Sequence, residues 1–437
     1  MTDLAPLDDA LAAWLDAPPT ACLLHAGRPH PRWASRSLLG TPDASWVVTP
    51  DGRSAWLGDA PRPIDFTHDP FADLDAVLAQ DPDATWIGYL GYDLGRRIES
   101  LPNLARDDRR WPLAVLQRCP RVDALPVGAH PIPAPDASLR LGPVRSCTTP
   151  GDYQQAVDHV VDRLHAGDAF EVNLATRLTA EFHGRPRDLF LALLERSPAW
   201  FAAYLPLPAL PDDPPDRRRA IASVSPELFL ELTPEGTVTT RPIKGTRRAG
   251  SASAAAHPHA DLADSPKDRA ELAMVVDMLR NDLGRVAAFG SVRVDQPRTI
   301  EHHPGIDHAV ATVAAKLRPD ATPGGLLRAT LPGGSITGAP KVQAMRMIER
   351  LEPVRRGPYC GAIGWLRGRS MHLSIAIRTA CITTDALGAD GDAPPTGVAD
   401  FHVGSGIVAD SIPRAEWRET LHKAKPFRDA ARAHRRL

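Results

Sequence analysis

The run Arg241-Pro-Ile-Lys-Gly-Thr246 delivers a lysine, Lys244, between an isoleucine and a glycine at the end of the strand-like stretch 237–241. Apolar neighbours desolvate an ammonium and lower its pKa, which is how a lysine becomes a nucleophile. The alternative is an ion pair between Lys244 and a carboxylate at a strand end. Two helix starts also each carry a pair of acids. Ser265-Pro-Lys-Asp268 offers a serine N-cap, a proline at the first helical position and an acid three residues on. Asp268 and Glu271, at i and i+3, share one face of that turn. Ser411-Ile-Pro413 opens a second helix, in which Glu416, Glu419 and Lys423 stack at i, i+3 and i+7. Acids in a first turn complement the helix dipole. Acids converging from two helices, with no Glu-x-x-His spacing and no cysteine nearby, suit a hard cation, and one magnesium ion is expected.

Other stretches suit anions. Residues 331–341, LPGGSITGAPK, pass from a glycine loop into a helical run, with Pro340 near the first helical position. Free backbone N–H groups at such a junction bind anions, although the same glycines also serve a plain helix start. It is not a Walker A loop, because Ala339 stands where lysine is needed. His402-Val-Gly-Ser-Gly406 leads into the second acid helix, and the strand-like run SIAIRT sets Arg378 among apolar residues. An arginine so placed takes a carboxylate partner, internal or from a ligand, and Tyr359 could add a hydroxyl. Together these features describe a pocket for a small substrate with more than one carboxylate, one on magnesium and another on arginine.

The elements that must hold these residues are an alternation of strands and helices. Short strands with turns, among them SWVVTPDG with its Asp-Gly turn, fill residues 1 to about 120. A proline- and glycine-loaded stretch, 122–150, reads as the main linker. Helical periodicity covers 153–164, strand AFEVNLATRLTAEF follows, and DLFLALLERS is a further helix. IASVSPELFLEL and GTVTTRPIKGT read as two strands joined by the turn 234–236, after a proline-rich surface loop. The 437 residues contain 51 basic and 53 acidic side chains, for a net charge of -2, so no long-range field recruits nucleic acid or anionic lipid. Five scattered cysteines without CxxC spacing give neither a disulfide framework nor a zinc site. With no basic leader and no apolar run of membrane length, a cytoplasmic protein is expected.

SPELFLEL, RPIKGT, SPKDRAELAMVVDMLRNDLGRV, LPGGSITGAPK, RRGPYCGAIGW, SIAIRT and GSGIVADSIPRAEWRETLHK resemble, in order and spacing, the chorismate-utilising enzymes. These include anthranilate synthase component I, the isochorismate and salicylate synthases, and the aminodeoxychorismate synthases. The resemblance is dense from about 150 to 425; before that, WIGYLGYDLGRRIESLP carries it. It implies an α/β fold of the α+β type, with two antiparallel sheets flanked by helices and the active site between them. It also implies an amino-terminal region, 1–145, and a chorismate-binding core, 146–437, with interleaved strands.

Within the family, lysine in PIKGT marks the aminodeoxychorismate synthases; anthranilate and isochorismate synthases typically have alanine there. By that resemblance Lys244 attacks C2 of chorismate, Glu227 of SPELF is general acid on the departing C4 hydroxyl, and ammonia enters at C4. Glu271 and Glu416 become magnesium ligands, with Asp268 and Glu419 acting through water. Arg378, Tyr359 and the backbone of Gly404, Ser405 and Gly406 take the other carboxylate. Ser335, Thr337 and Gly338 lie close by, and His308 and Lys423 complete the pocket. No glutaminase signature is present, so a separate glutamine amidotransferase subunit is implied as partner in a heterodimer.

Two departures stand out. Glu171 replaces a glutamine common in amino-transferring members, and the LLES motif tied to tryptophan binding reads Leu23-Leu24-His25-Ala26, so the resemblance does not carry a bound or regulatory tryptophan over to this chain. The alternatives are an anthranilate synthase component I, or a non-catalytic magnesium-dependent regulator that would need the pocket without Lys244 or Glu227.

Overall fold

The structure, a computed structural model, describes residues 9–435 apart from 29, 60–63, 127–130, 211, 248–261, 263–264, 304–305 and 386–393. Among the described residues two eleven-stranded sheets, antiparallel throughout, carry the molecule. The first runs in the order Gly338–Ala339, Glu171–His183, Thr396–Ile407, Thr379–Thr384, Arg218–Ser225, Phe201–Pro206, Cys22–His25, Arg36–Gly40 and Val122–Pro126, with two short strands also on Glu171–His183. The second runs Ile243–Arg247, Ile306–Lys316, Thr237–Arg241, Leu228–Leu232, Ser370–Ile375, Ala362–Arg367, Thr85–Leu90, Ala114–Cys119, Ala44–Val48 and Ser54–Gly58, with Arg293–His303 also on Ile306–Lys316. Strands from before residue 127 and after residue 171 therefore sit in both sheets.

Local chemistry explains most of the elements. Asp51 and Gly52 turn the Ala44–Val48/Ser54–Gly58 hairpin, with Gly52 at φ +88°, where a side chain would be strained. Thr149 and Ser265 each accept a hydrogen bond from the N–H three residues on, and proline follows each at the first helical position of Pro150–His165 and Pro266–Gly284. The proline-rich stretch after Pro206 links two paired strands, Phe201–Pro206 and Arg218–Ser225. Residues 122–150 are not a free linker. Val122–Pro126 pairs with Arg36–Gly40, and Arg140–Leu141 and Arg145–Ser146 pair with Glu171–His183, because short extended segments satisfy their backbone groups on an available sheet edge. No helix among the described residues is long and apolar enough to cross a membrane.

IASVSPELFLEL is also not one strand. Pro226 has no N–H to donate to a ladder, and the chain leaves the first sheet at Ser225 and enters the second at Leu228. SIAIRT breaks in the same way: its strand ends at Ile375, and Thr379–Thr384 continues in the first sheet.

Candidate active site

These two crossings lie side by side. Ser223 pairs with Thr379 in the first sheet and Leu228 with Ser374 in the second. Between them the Ile375 N–H donates to the Glu227 carbonyl at 3.0 Å, and the Val224 N–H donates to the Arg378 carbonyl at 3.1 Å. Glu227 and Arg378 therefore occupy one joint between the sheets. The Glu227 carboxyl, 5% exposed, accepts a hydrogen bond from Ser335 Oγ at 2.6 Å. Burial pushes its pKa up to about 7 against the opposing effects of Ser335, Lys244 and Lys423, which keeps a proton on it near neutrality. Arg378 holds φ at +53°. Burial pulls its guanidinium below the usual arginine range, with Tyr359 opposing, and it makes no side-chain hydrogen bond or ion pair among the described residues. A desolvated guanidinium without an internal carboxylate is ready for one from a ligand.

Lys244 lies on Ile243–Arg247, where the pairing with Ile306–Lys316 slips between Ile243 and Thr246 and Gly245 takes φ +84°. Its ammonium is ion-paired with Glu171, which is 2% exposed at the start of Glu171–His183. Of the two readings the sequence offered for Lys244, the structure thus shows the ion pair with a carboxylate at a strand end, and the expected lowering of its pKa is corrected. Burial does lower the Lys244 pKa, but contact with Glu171 and the nearby Glu271 and Glu227 outweigh it and raise it above the usual lysine value. Gly406 forms the floor beneath this pair: a Cβ there would collide with Glu171 Oε1 and come within 3.2 Å of Lys244 Nζ. Gly338, at φ +133°, is required for the same reason on the other side, since a Cβ would collide with the Glu171 carbonyl.

Glu271 of one helix and Glu419 of the other act on the same lysine. Burial pushes Glu271 up to about 7, opposed by Lys244 and Lys267. The Asp268 carboxylate packs beside Gly245, 3.0 Å from where a Cβ would stand. Glu416 accepts a hydrogen bond from Ser411 Oγ at 2.7 Å. Glu419 pairs with Lys423 at 2.8 Å, and that lysine, then Lys267 and Lys244, hold it below the usual carboxylate range despite partial burial. Lys423 Nζ also donates to the Gly404 carbonyl at 3.2 Å. Lys244 and Lys267 act on both Glu271 and Glu419, so the two helix starts share one neighbourhood. Among the described residues no three His, Cys, Asp or Glu side chains form a ready metal cage.

Not every residue singled out in the sequence turns its side chain to this space. Thr337 Oγ1 donates back to the Gly333 carbonyl at 2.9 Å. Ser405 is fully buried and shares hydrogen bonds with Tyr153 at 3.2 Å and Thr420 at 3.4 Å, on the strand face opposite Gly404 and Gly406. Lys341, at the end of the glycine loop, is spent on Asp282 at 2.6 Å. Tyr359 is buried and stacks on His402 with ring centres 5.3 Å apart. His308 is buried on Ile306–Lys316, opposite Thr246.

Several residues that the sequence did not single out hold the site together. Arg356, 1% exposed, donates to both Glu352 oxygens (2.6 and 2.9 Å), to the Ile336 carbonyl at 3.0 Å and to the Asn173 carbonyl at 2.7 Å. A separate cavity of about 320 Å³, walled by Trp33, Trp200, His372 and the Leu24-His25-Ala26 segment, is lined by none of the site residues that the sequence singled out.

The chain is also similar to known proteins. The family model described as chorismate binding enzyme matches residues 54–429. Aminodeoxychorismate synthase component 1 of Escherichia coli is 36% identical over 441 residues, spanning 93% of this chain and 92% of the relative. Anthranilate synthase component 1 of Haloarcula marismortui is 31% identical, spanning 88% and 86%. The crystal structure of anthranilate synthase component I from Streptococcus pneumoniae matches with a TM-score of 0.71 at 28% identity, covering 91% of this chain and 92% of that one.

Proposed function

Because the chain belongs to the chorismate binding enzyme family, we propose that it aminates chorismate, giving 4-amino-4-deoxychorismate, the precursor of 4-aminobenzoate and folate. The observation that carries this reading is Lys244 in PIKGT, buried within the electrostatic reach of Glu227, a carboxyl still protonated near neutral pH. The free amine of Lys244 bonds to C2, the two conjugated ring double bonds both shift round the ring away from C2 and towards C4, and the C4–O bond breaks as Glu227 gives its proton to the leaving hydroxyl, releasing water. Ammonia then bonds to C4, both double bonds shift back, and the C2–N bond to Lys244 breaks. Arg378, with Tyr359 and the backbone about Gly404 to Gly406, holds a substrate carboxylate. Ser335, Thr337, Gly338, His308 and Lys423 form the surrounding wall, Thr337 and Ser405 through their backbone.

Glu271 and Glu416 would hold Mg²⁺, with Asp268 and Glu419 reaching it through water, and the ion would supply positive charge for the other substrate carboxylate. The donor set fits: all four are hard oxygen ligands, and magnesium commonly leaves the rest of its shell to substrate and water. The burial that lifts Glu271 toward neutrality is the kind of cost a dication offsets.

Ammonia would come from a glutamine amidotransferase subunit, consistent with relatives named component 1. Cys360 does not suit that chemistry, because burial pushes its thiol up to about 12. The cytoplasm is the matching compartment. The second reading, formation of anthranilate, draws on the anthranilate synthases among the similar proteins.

Mass spectrometry of products from the purified chain with chorismate, Mg²⁺ and ammonium decides between them. Aminodeoxychorismate is expected, with a loss of at least about a hundredfold in Lys244→Ala. Anthranilate as the main product would overturn the proposal.

A further inference from the structure

Lys244 is weakly held by its own backbone. The ladder between Thr237–Arg241 and Leu228–Leu232 stops at Arg241, where Pro242 follows with no N–H to donate. Ile243–Arg247 then forms an edge of the second sheet, paired with one strand alone and out of register between Ile243 and Thr246. The last residue before the amine that is paired toward Glu227 is therefore Arg241, opposite Leu228.

The Arg241 side chain, 4% exposed, is held from three directions. It is ion-paired with Glu301 of Arg293–His303, donates from Nε to Thr312 Oγ1 at 3.3 Å, and lies over the Trp33 ring, 4.3 Å from its centre. A desolvated guanidinium on an indole is an oriented contact as well as a favourable one. Trp33 comes from the other sheet, in the connection between Cys22–His25 and Arg36–Gly40. A bridge between His30 and Ala34 closes that connection, and its Arg32 lies 4.4 Å from the centre of the same ring while donating to Glu231 Oε1 at 2.7 Å. Glu231 is on Leu228–Leu232, the strand that follows Glu227. One short connection of the first sheet thus grips both the strand after the acid and the strand before the amine.

We propose that Arg241 is a positioning residue for Lys244 and that Trp33 holds it in place. By tying the end of Thr237–Arg241 to the other sheet, the stack limits how far the edge strand carries the amine from the Glu227 carboxyl. Neither side chain has to touch the substrate. The inference rests on the reading above that Lys244 attacks the ring.

The test takes the purified chain with Mg²⁺ and chorismate and no ammonium. Intact-protein mass spectrometry gives the rate constant and the amplitude of the Lys244 adduct, read beside the KM for chorismate. Native protein is compared with Trp33→Leu, Trp33→Phe, Arg241→Lys and the double variant Trp33→Leu/Arg241→Lys. Arg241→Lys keeps the charge and loses the planar fork. Each of Trp33→Leu and Arg241→Lys should slow adduct formation about tenfold, because a reacting pair misplaced by about 1 Å loses up to about a hundredfold. The KM for chorismate should stay within about threefold. Trp33→Phe, which keeps a ring face, should recover most of the rate, and the double variant should be no slower than the slower single one, as for two members of one contact. A rate constant within about twofold of native in Trp33→Leu would overturn the inference, and so would a change confined to KM. A lowered amplitude at an unchanged rate constant would overturn it as well, since that is loss of competent protein, and additive effects in the double variant would break the link between the two residues. If native protein forms no adduct, the reading above falls, and the same comparison made on kcat for chorismate consumption still decides this one.

Discussion

The proposed chemistry asks for two protonation states at once: a protonated Glu227 and an unprotonated Lys244. Burial puts Glu227 at about 7, whereas the Glu171 contact holds Lys244 above the usual lysine range. Below about pH 7 the acid is intact, and each unit of pH gives tenfold more free amine. Above it, the gain in amine is cancelled by loss of acid. So kcat/KM for chorismate should climb with a slope near one to about pH 7 and then level. In Glu227→Gln the residual activity should climb through pH 7 without a break, which separates Glu227 from Glu271, also lifted to about 7. A native profile that declines from pH 6 upward would rule out Lys244 as the attacking amine.

At the scale of elements, Arg356 and Glu352 join the end of helix Lys341–Leu351 to the glycine loop and to the strand carrying Glu171 and Asn173; Glu352 also accepts from the Ala175 N–H at 2.8 Å. Removing one member of a buried pair leaves the other uncompensated, at a cost of about 3–5 kcal/mol. Arg356→Met should therefore lower stability by about that amount in urea unfolding; a change under about 1 kcal/mol would show the pair to be dispensable.

What the sequence disclosed follows the range of the forces involved. Ser265-Pro266 and Asp51-Gly52 were legible because caps and turns are set by neighbours in sequence. The breaks at Pro226 and Arg378 were not, since alternation of buried residues continues through a strand that changes sheets. Nor was the Glu171–Lys244 pair, whose members lie 73 residues apart. The direction of the Lys244 pKa was misjudged for that reason alone. Ser405 was legible in part: flanked by Gly404 and Gly406, it had to point away from whatever those glycines face.

At the scale of the molecule, strands from the two parts of the chain meet at one seam in each sheet. Cys22–His25 pairs with Phe201–Pro206, and Thr85–Leu90 with Ala362–Arg367. A fragment beginning at residue 146 would uncover both edges, together with the apolar surface that Trp46, Trp86 and Leu116 now fill. We expect fragments 1–145 and 146–437 to be insoluble or proteolysed when made separately and to recover structure when made together, as circular dichroism and limited proteolysis would register. An independently folded, protease-resistant 146–437 would establish it as a free-standing core.

The twin crossing at Glu227 and Arg378 has a mechanical consequence. Both residues ride on strands that are stitched into the two sheets at once and hydrogen-bonded to each other at the crossing. Lys244, by contrast, belongs to the second sheet at its far edge. When the sheets shear, the proton donor and the guanidinium travel as one body, and the distance that changes is theirs to the amine. On the proposed mechanism, thermal breathing would therefore vary the approach of the Lys244 amine while leaving Glu227 and Arg378 in fixed register.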